Sequence, residues 1–284
     1  MGLNEAVKAF SESSLSPGGE EYRKISIEAV KKIAADHLCA PREVELAALN
    51  NNVVPERYQR SLGTVGGVRG QLRLLQCCVG IVGLGGLGGL AADMLARMGI
   101  GLLVLIDGDN FAESNLNRQN ISCEINIGQN KAAAARERIQ QVNSSVEVTQ
   151  FEQFVDESTI LEMLKGCHLV LDCLDNLPTR FLLQKSCRKL NIPLVHGAIA
   201  QFYGQVSTIF PGDKGLEAIY GPVESGQSKG VEKELGNPAT TASLVSSLQV
   251  QEALKVLLDK GSLYRNNFLF IDTLENSWEI INCE

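Results

Sequence analysis

The sequence predicts an α/β protein: a doubly wound, mainly parallel sheet with an antiparallel C-terminal part and a small N-terminal helical appendage. Three observations predict it. Between residues 77 and 200, short apolar runs alternate with helical segments, as expected of a parallel sheet covered on both faces. A glycine-rich turn joins the first of these runs to a helix. The last apolar runs, FLFIDT and WEIINC, flank the turn LENS and read as an antiparallel pair. With 44% hydrophobic and 21% charged residues, the chain has the means to build a core and is not a disordered tail.

The elements follow in order. The chain divides near Arg57, giving residues 1–56 as an appendage and 57–284 as the main domain. In the appendage, EEYRKISIEAVKKIAADHL carries Ile27, Val30, Ile33 and Ala34 at helical spacing. A second helix, PREVELAALNNN, has Pro41 in its first turn and asparagines at its end. Two short helices joined by a tight turn invite comparison with a DNA reader. The second offers Arg42 against Glu43 and Glu45, the wrong sign for a phosphate surface, so a packing or partner-docking role is read.

From Leu72 the alternation begins. CCVGIV (77–82) is the first strand, with a helix following to about Arg97, and GLLVLID (101–107) is the second. GQNKAAAARERIQQVN reads as a helix, VEVTQF as a strand, DESTILEMLKG as a helix and HLVLDCLD as a strand ending in aspartates. PTRFLLQKSCRKL is the next helix, and IPLVHGAI and YGQVSTIF are strands. Residues 211–238, rich in Gly, Pro and Ser, lack helical period and read as a mobile crossover loop. TTASLVSSLQVQEALKVLLDK is a long amphipathic helix.

Composition excludes several classes. Twenty-six basic against 33 acidic residues give a net charge of −7, which disfavours non-specific attraction to nucleic acid. No apolar run reaches the roughly 20 residues of a membrane span, and the N-terminus lacks a signal-peptide core, so a cytoplasmic protein is expected. None of the eight cysteines forms a C-x-x-C pair. Reduced thiols, several of them small buried hydrophobes, are the expectation. Trp278 and the other aromatics form no repeating stacking set.

Gly83-Leu-Gly85-Gly86-Leu-Gly88 fits G-x-G-x-x-G between a strand and a helix, and so points to a Rossmann-like nucleotide site. Asp107 ends the next strand, where an acidic residue hydrogen-bonds ribose hydroxyls. To this point NAD, FAD and ATP fit equally well. Asp109, Asn115, Arg118 and Gln119 then follow, with Lys131 opening the next helix. These are more donors than a dinucleotide pyrophosphate needs, but they suit a triphosphate attacked at its α-phosphorus. Asp175 stands at the C-terminal end of a parallel strand, where one carboxylate with substrate phosphates holds Mg²⁺. The alternative is that Asp175 caps the helix beginning near Pro178. Asp172 lies deeper in its strand and is the weaker candidate ligand, while His196 reads as a core or hydrogen-bonded histidine.

GLGGLG, Asp107/Asp109, NLNRQ, GQNK and LDCLDN occur in the order of the ThiF/MoeB/HesA-like superfamily, the prokaryotic relatives of ubiquitin-activating enzymes, which the chain resembles over roughly residues 55–284. Arg57-Tyr58-Gln59-Arg60, YGQVS and SLQVQEALK extend the resemblance. It implies an ATP- and Mg²⁺-dependent adenylyltransferase that activates the C-terminal carboxylate of a small ubiquitin-like carrier, usually ending Gly-Gly, for thiamine, molybdopterin or related sulfur transfer. By position, Asp107 and Asp109 would bind ribose or help place metal. Asn115, Arg118, Gln119 and Lys131 would handle phosphates, and Asp175 would coordinate Mg²⁺. The resemblance also implies a homodimer, in which Arg60 reaches the neighbouring subunit's ATP.

Many relatives carry two zinc-binding C-x-x-C pairs; here 211–238 has no cysteine and only Cys283 follows the late helix, so no structural zinc is expected. A covalent step through a crossover cysteine is likewise not expected, and Cys173 and Cys187 read as packing residues. Two alternatives stand beside this reading: a tRNA-modifying carboxylate-activating ATPase of the same superfamily, and a nucleotide-dependent partner-binding protein without turnover. Only the first would bring in tRNA. An NAD-dependent oxidoreductase leaves NLNRQ, Lys131 and Asp175 without a role.

Overall fold

A computed structural model describes all residues except 16–18, 20, 222–235 and 284. The helices are α1 (Leu3–Phe10), α2 (Ile27–His37), α3 (Pro41–Asn50), α4 (Leu62–Val65), α5 (Gly67–Gln76), α6 (Gly88–Met98), α7 (Lys131–Val142), α8 (Ile160–Met163), α9 (Leu177–Leu190), α10 (Leu216–Tyr220) and α11 (Ala239–Leu258). The strands are β1 (Glu12–Leu15), β2 (Glu21–Ile25), β3 (Val53–Pro55), β4 (Cys78–Val82), β5 (Leu102–Ile106), β6 (Glu147–Phe151), β7 (Leu169–Asp172), β8 (Leu194–Ala200), β9 (Tyr203–Ile209), β10 (Asn267–Asp272) and β11 (Ser277–Asn282).

The main sheet has eight strands in the order β6-β5-β4-β7-β8-β9-β10-β11. The first five are parallel, and β8 to β11 pair antiparallel. Because strand side chains alternate between faces, β4 sends Val79 and Ile81 into one apolar layer and Cys78 and Val82 into the other. The first layer is completed by α6, α7 and α11, the second by α8 and α9. This double burial explains why the parallel strands read as unbroken apolar runs. The chain leaves β4 toward β5 and β6 and then crosses back to β7 on the other side. The switch point between β4 and β7 is where doubly wound sheets open a crevice at the strands' C-terminal ends.

The appendage differs from expectation. It is not helical alone: β1, β2 and β3 form a three-stranded sheet against α1, α2 and α3. Residues 21–25 leave the anticipated helix because Ser26 is its N-cap, accepting a hydrogen bond from the Ala29 N–H. Leu38, left-handed at φ 52°, ends that helix. Helix α5 precedes β4 where no element was expected between Arg57 and Leu72, and the helix expected over DESTILEMLKG is only the single turn α8. Half of the crossover expected to be mobile over 211–238, residues 222–235, lies outside the described residues; before them, Leu216–Tyr220 is helical.

Residues 42–58 are joined to the main sheet by buried polar contacts. Glu45, fully buried, accepts a hydrogen bond from the Tyr58 hydroxyl at 2.9 Å and pairs with Arg57 at 3.3 Å. Asn143, at the end of α7, donates to Tyr58 Oη and accepts from Arg57. Arg42 donates to the Leu75 carbonyl and to Glu147 at the start of β6.

Candidate active site

The glycine turn shapes one wall of a cavity of about 490 Å³ at the switch point. Gly83 follows β4 at φ +89°, and a Cβ there would sit 2.6 Å from the Cys173 carbonyl oxygen. Gly88 opens α6 so close to the turn that a Cβ would lie 1.8 Å from the Gly83 oxygen, so only glycine lets helix and strand meet there. Gly85 and Gly86 line the cavity, whereas Gly88 is buried behind it as a packing residue. Gly88, expected among the cofactor contacts, thus lies off the cavity wall.

Asp107 and Asp109 come from the end of β5, and both line the cavity. Asp107 accepts the Leu84 N–H at 2.6 Å and the Asp109 N–H at 2.8 Å, which ties the glycine turn to the neighbouring strand. Burial pushes its carboxyl above the ordinary range, while the Lys131 charge and those two N–H groups pull the other way. Lys131, nearly buried, places Nζ 3.0 Å from Asp109 Oδ2. Its helix is bolted in place by Asn130, whose side-chain oxygen caps α7 and whose amide donates to the Asp107 and Asp109 carbonyls.

Arg118 also lines the cavity, its guanidinium donating to the Ser114 carbonyl at 3.0 Å and to the Asn117 side chain at 2.8 Å. Beside it Gln119 is buried at 6% exposure. Its Oε1 has no hydrogen-bond partner among the described residues. A ligand donor would complete that group. Asn115 does not line the cavity: its side chain accepts the Ala112 N–H and so shapes the turn, and Asn117 faces the cavity in its place. Asp175 is exposed and lines the cavity. It is not the α9 cap, because Asn176 accepts the Thr179 N–H. Arg60 is exposed in the turn before α4 and is absent from the cavity wall.

Sequence reasoning missed several lining residues. Arg180, only 3% exposed, reaches the cavity from the first turn of α9. The available signal was an arginine one turn into a helix that starts at a strand-end aspartate. Phe154 and Val155 join Val82 and Ile106 in an apolar part, with Phe154 packed so tightly on Gly108 that a Cβ there would come within 2.9 Å of it. Gly236 and Asn237, just before α11, line the same cavity.

The N-terminal ends of α6, α7, α9 and α11 therefore border one space, each adding partial positive charge. Three cations (Arg118, Lys131 and Arg180) and three carboxylates (Asp107, Asp109 and Asp175) share it. An apolar slot for a flat ring, donors for phosphates and a carboxylate on the wall are what a nucleoside triphosphate with a divalent ion requires. The cysteines contribute no exposed nucleophile to this wall: Cys173 is buried with its thiol raised well above the usual range, and burial with the nearby Asp172 charge pushes Cys187 up to about 12. His196 is fully buried between Asp172 and Tyr220, as a hydrogen-bonded core histidine. Among the described residues, no helix is long and apolar enough to cross a membrane.

A model of the ThiF family matches residues 58–284. A SAMP-activating enzyme E1 from Haloferax volcanii is 38% identical over 76% of this chain and 80% of its own length. The adenylyltransferase and sulfurtransferase MOCS3 of Drosophila virilis is 35% identical over 84% of this chain and 53% of its own, and that of Mus musculus 33% identical over 83% and 50%. The chain thus spans about half the length of these MOCS3 relatives. Among solved structures, E. coli MccB with ATP superposes with a TM-score of 0.69 at 22% identity, over 83% of this chain and 72% of that one. PaaA superposes at 0.70 and 19% identity, over 96% of this chain and all of PaaA. These two likenesses bear on the fold.

Proposed function

The chain belongs to the ThiF family, and we propose that it uses ATP to adenylate the C-terminal carboxylate of a small ubiquitin-like sulfur-carrier protein, in thiamine, molybdopterin or related sulfur-transfer biosynthesis. The observation that carries this reading is the cavity itself, whose lining brings together the glycine turn, Arg118, Lys131 and Asp175. The relatives named for SAMP activation and for adenylyltransfer with sulfurtransfer support the carrier class.

In the reaction a carboxylate oxygen of the carrier attacks the α-phosphorus of ATP, the acyl-adenylate bond forms, and pyrophosphate leaves with the electron pair of the broken P–O bond. Negative charge grows on the non-bridging oxygens and the leaving group. On this reading Arg118, Lys131 and the N–H groups of Gly85 and Gly86 hold it, and such preorganised donors contribute about 3–4 kcal/mol each. Asp107 holds the glycine turn by its Leu84 bond, so the turn does not have to reorganise as charge develops. Gln119 offers its open acceptor to a ligand hydroxyl or amine.

The residues fit Mg²⁺. Among the described residues no group of three or more His, Cys, Asp or Glu side chains is placed as a metal cage. An ion held by one carboxylate, substrate phosphates and water needs no such cage, and Asp175 supplies the carboxylate. When bound, the ion would neutralise phosphate charge and help the pyrophosphate leave. Arg60, on the surface and away from the cavity of its own chain, is assigned to the ATP of a second subunit in a homodimer. The protein carries no structural zinc on this reading.

ATP–pyrophosphate exchange tests the proposal. Exchange that depends on a Gly-Gly-ended carrier and on Mg²⁺ is the expected result, and Asp175→Ala abolishes it. Exchange that survives in Asp175→Ala removes that residue from metal binding. ATP consumption driven by tRNA and not by a carrier overturns the substrate assignment.

A further inference from the structure

Beneath the cavity floor lies a line of buried polar side chains that the adenylation chemistry does not touch directly. Asp172 ends β7 and His196 lies on β8, its registered partner on the adjacent parallel strand. Both are fully buried. His196 Nδ1 lies 2.7 Å from Asp172 Oδ2, and its Nε2 lies 2.9 Å from the Tyr220 hydroxyl at the end of α10. The two rings meet edge to face with centroids 5.7 Å apart, and Gln205 of β9 donates its amide to the same hydroxyl. One tautomer satisfies the whole line: Nδ1–H donates to Asp172, and Nε2 accepts the Tyr220 O–H.

The other side of Asp172 faces the site. Its Oδ1 accepts the Leu174 N–H at 3.1 Å. Arg180 stands 3.9 Å from its Oδ2 and donates from Nε and Nη2 to the Leu174 carbonyl at 3.2 and 2.6 Å. Both backbone groups of Leu174 are therefore held, one by Asp172 directly and the other by the arginine paired with it. The next residue is Asp175. Behind the strand end, Gln249 of α11 donates to the Asp172 and Val195 carbonyls and fixes β7 against β8. The Leu174–Asp175 turn is thus held by side chains rather than by sheet pairing, which ends at Asp172.

We propose that Asp172, His196 and Tyr220 are positioning residues whose hydrogen-bonded line, through Asp172, sets the Leu174–Asp175 turn and so the aim of the carboxylate that receives the metal–nucleotide complex. This rests on the assignment of Asp175 to Mg²⁺. His196 keeps Asp172 correctly turned, and Tyr220 anchors His196 from α10. Groups that orient a metal-holding carboxylate in this way typically govern metal affinity by about 10–100-fold.

The test is calorimetric ATP binding to the full chain, with and without Mg²⁺. In wild type, Mg²⁺ strengthens ATP binding; a wild type without that gain overturns the Asp175 assignment and the proposal with it. Asp172→Asn and His196→Leu lose about tenfold of the gain, while Mg²⁺-free ATP affinity stays within about twofold of wild type. His196→Asn keeps most of the gain, because its amide still donates to Asp172. Tyr220→Phe removes one oxygen and gives a smaller loss in the same direction, so the proposal remains testable if a core variant does not fold. Retention of the full gain in Asp172→Asn, equal behaviour of His196→Asn and His196→Leu, or an equal loss of Mg²⁺-free binding would each overturn it.

Discussion

Replacing Lys131 with methionine separates what this side chain does for catalysis from what it does for the fold. The stem is nearly buried, and Asp109, which its ammonium pairs with, has a side chain about half exposed at 56%. A pair with one solvated member contributes about 1 kcal/mol or less. In a protein of this size that corresponds to a melting shift of roughly 2–4 °C. A donor lost from developing phosphate charge costs far more, about 3–4 kcal/mol, or 10²–10³ in kcat. The expected outcome of Lys131→Met is therefore a collapse of ATP–pyrophosphate exchange in a protein that still folds.

The same variant has a pH signature. Asp107 has its carboxyl raised above 3.8 by burial, with the Lys131 charge as the largest opposing influence. A carboxyl raised in the folded state contributes stability that is full below its unfolded value and is lost as pH rises through its folded value. Without Lys131 the folded value climbs further, so more stability is lost across a wider window. The loss relative to wild type is thus larger at pH 7 than near pH 4. Exchange kinetics and thermal melts at both pH values measure this. Wild-type exchange would remove Lys131 from phosphate handling, and a larger loss of stability at acid pH would refute the electrostatic link to Asp107.

Two further predictions concern the assembly and the thiols. Arg60→Ala and Arg118→Ala are each expected to lose exchange, and mixing the two should restore activity in mixed dimers, where one site keeps both arginines. If the mixture stays as inactive as its components, Arg60 does not act across subunits. Iodoacetamide on the native protein at pH 8 should label the exposed Cys123 and leave Cys173 and the raised Cys187 unlabelled until denaturation. Native labelling of Cys173 or Cys187, mapped by mass spectrometry, would show that they are not simply packed.

Much of the site was legible because it is local. The glycine turn announces itself through three glycines whose spacing reflects a left-handed residue and a close helix–strand approach, and both are present at Gly83 and Gly88. Asp107, Lys131 and Asp175 were found because strand ends and helix starts can be read from apolar periodicity. Asn115 and Asn117 show the limit. Two residues apart in one turn, they differ in which side chain closes the turn and which faces the cavity, and only backbone dihedrals decide that. Arg57 and Tyr58, part of a sequence motif, prove to be partners of Glu45 and Asn143, a network assembled from three separate stretches of chain.

In the appendage, helical spacing from Ile27 onward was correct, but it was extended back over residues that form β2. The alternating burial of Glu21–Ile25 is a strand pattern, and the Ser26 cap marks the junction. Five residues carry too little period to outweigh the longer helix beside them.

The amino-acid sequence by itself determined the layered α/β architecture, the glycine turn and most of the charged residues around it, because these depend on side-chain period and short-range sterics. Tertiary structure alone decided that Arg180, Phe154 and Asn237 face the same cavity, that Gly88 packs behind it, and that Asp172 and His196 join beneath it. Those contacts link residues brought together only when β7 is set between β4 and β8 and α11 is packed across them. Strand order is a property of the whole folded sheet, and no local stretch of sequence encodes it.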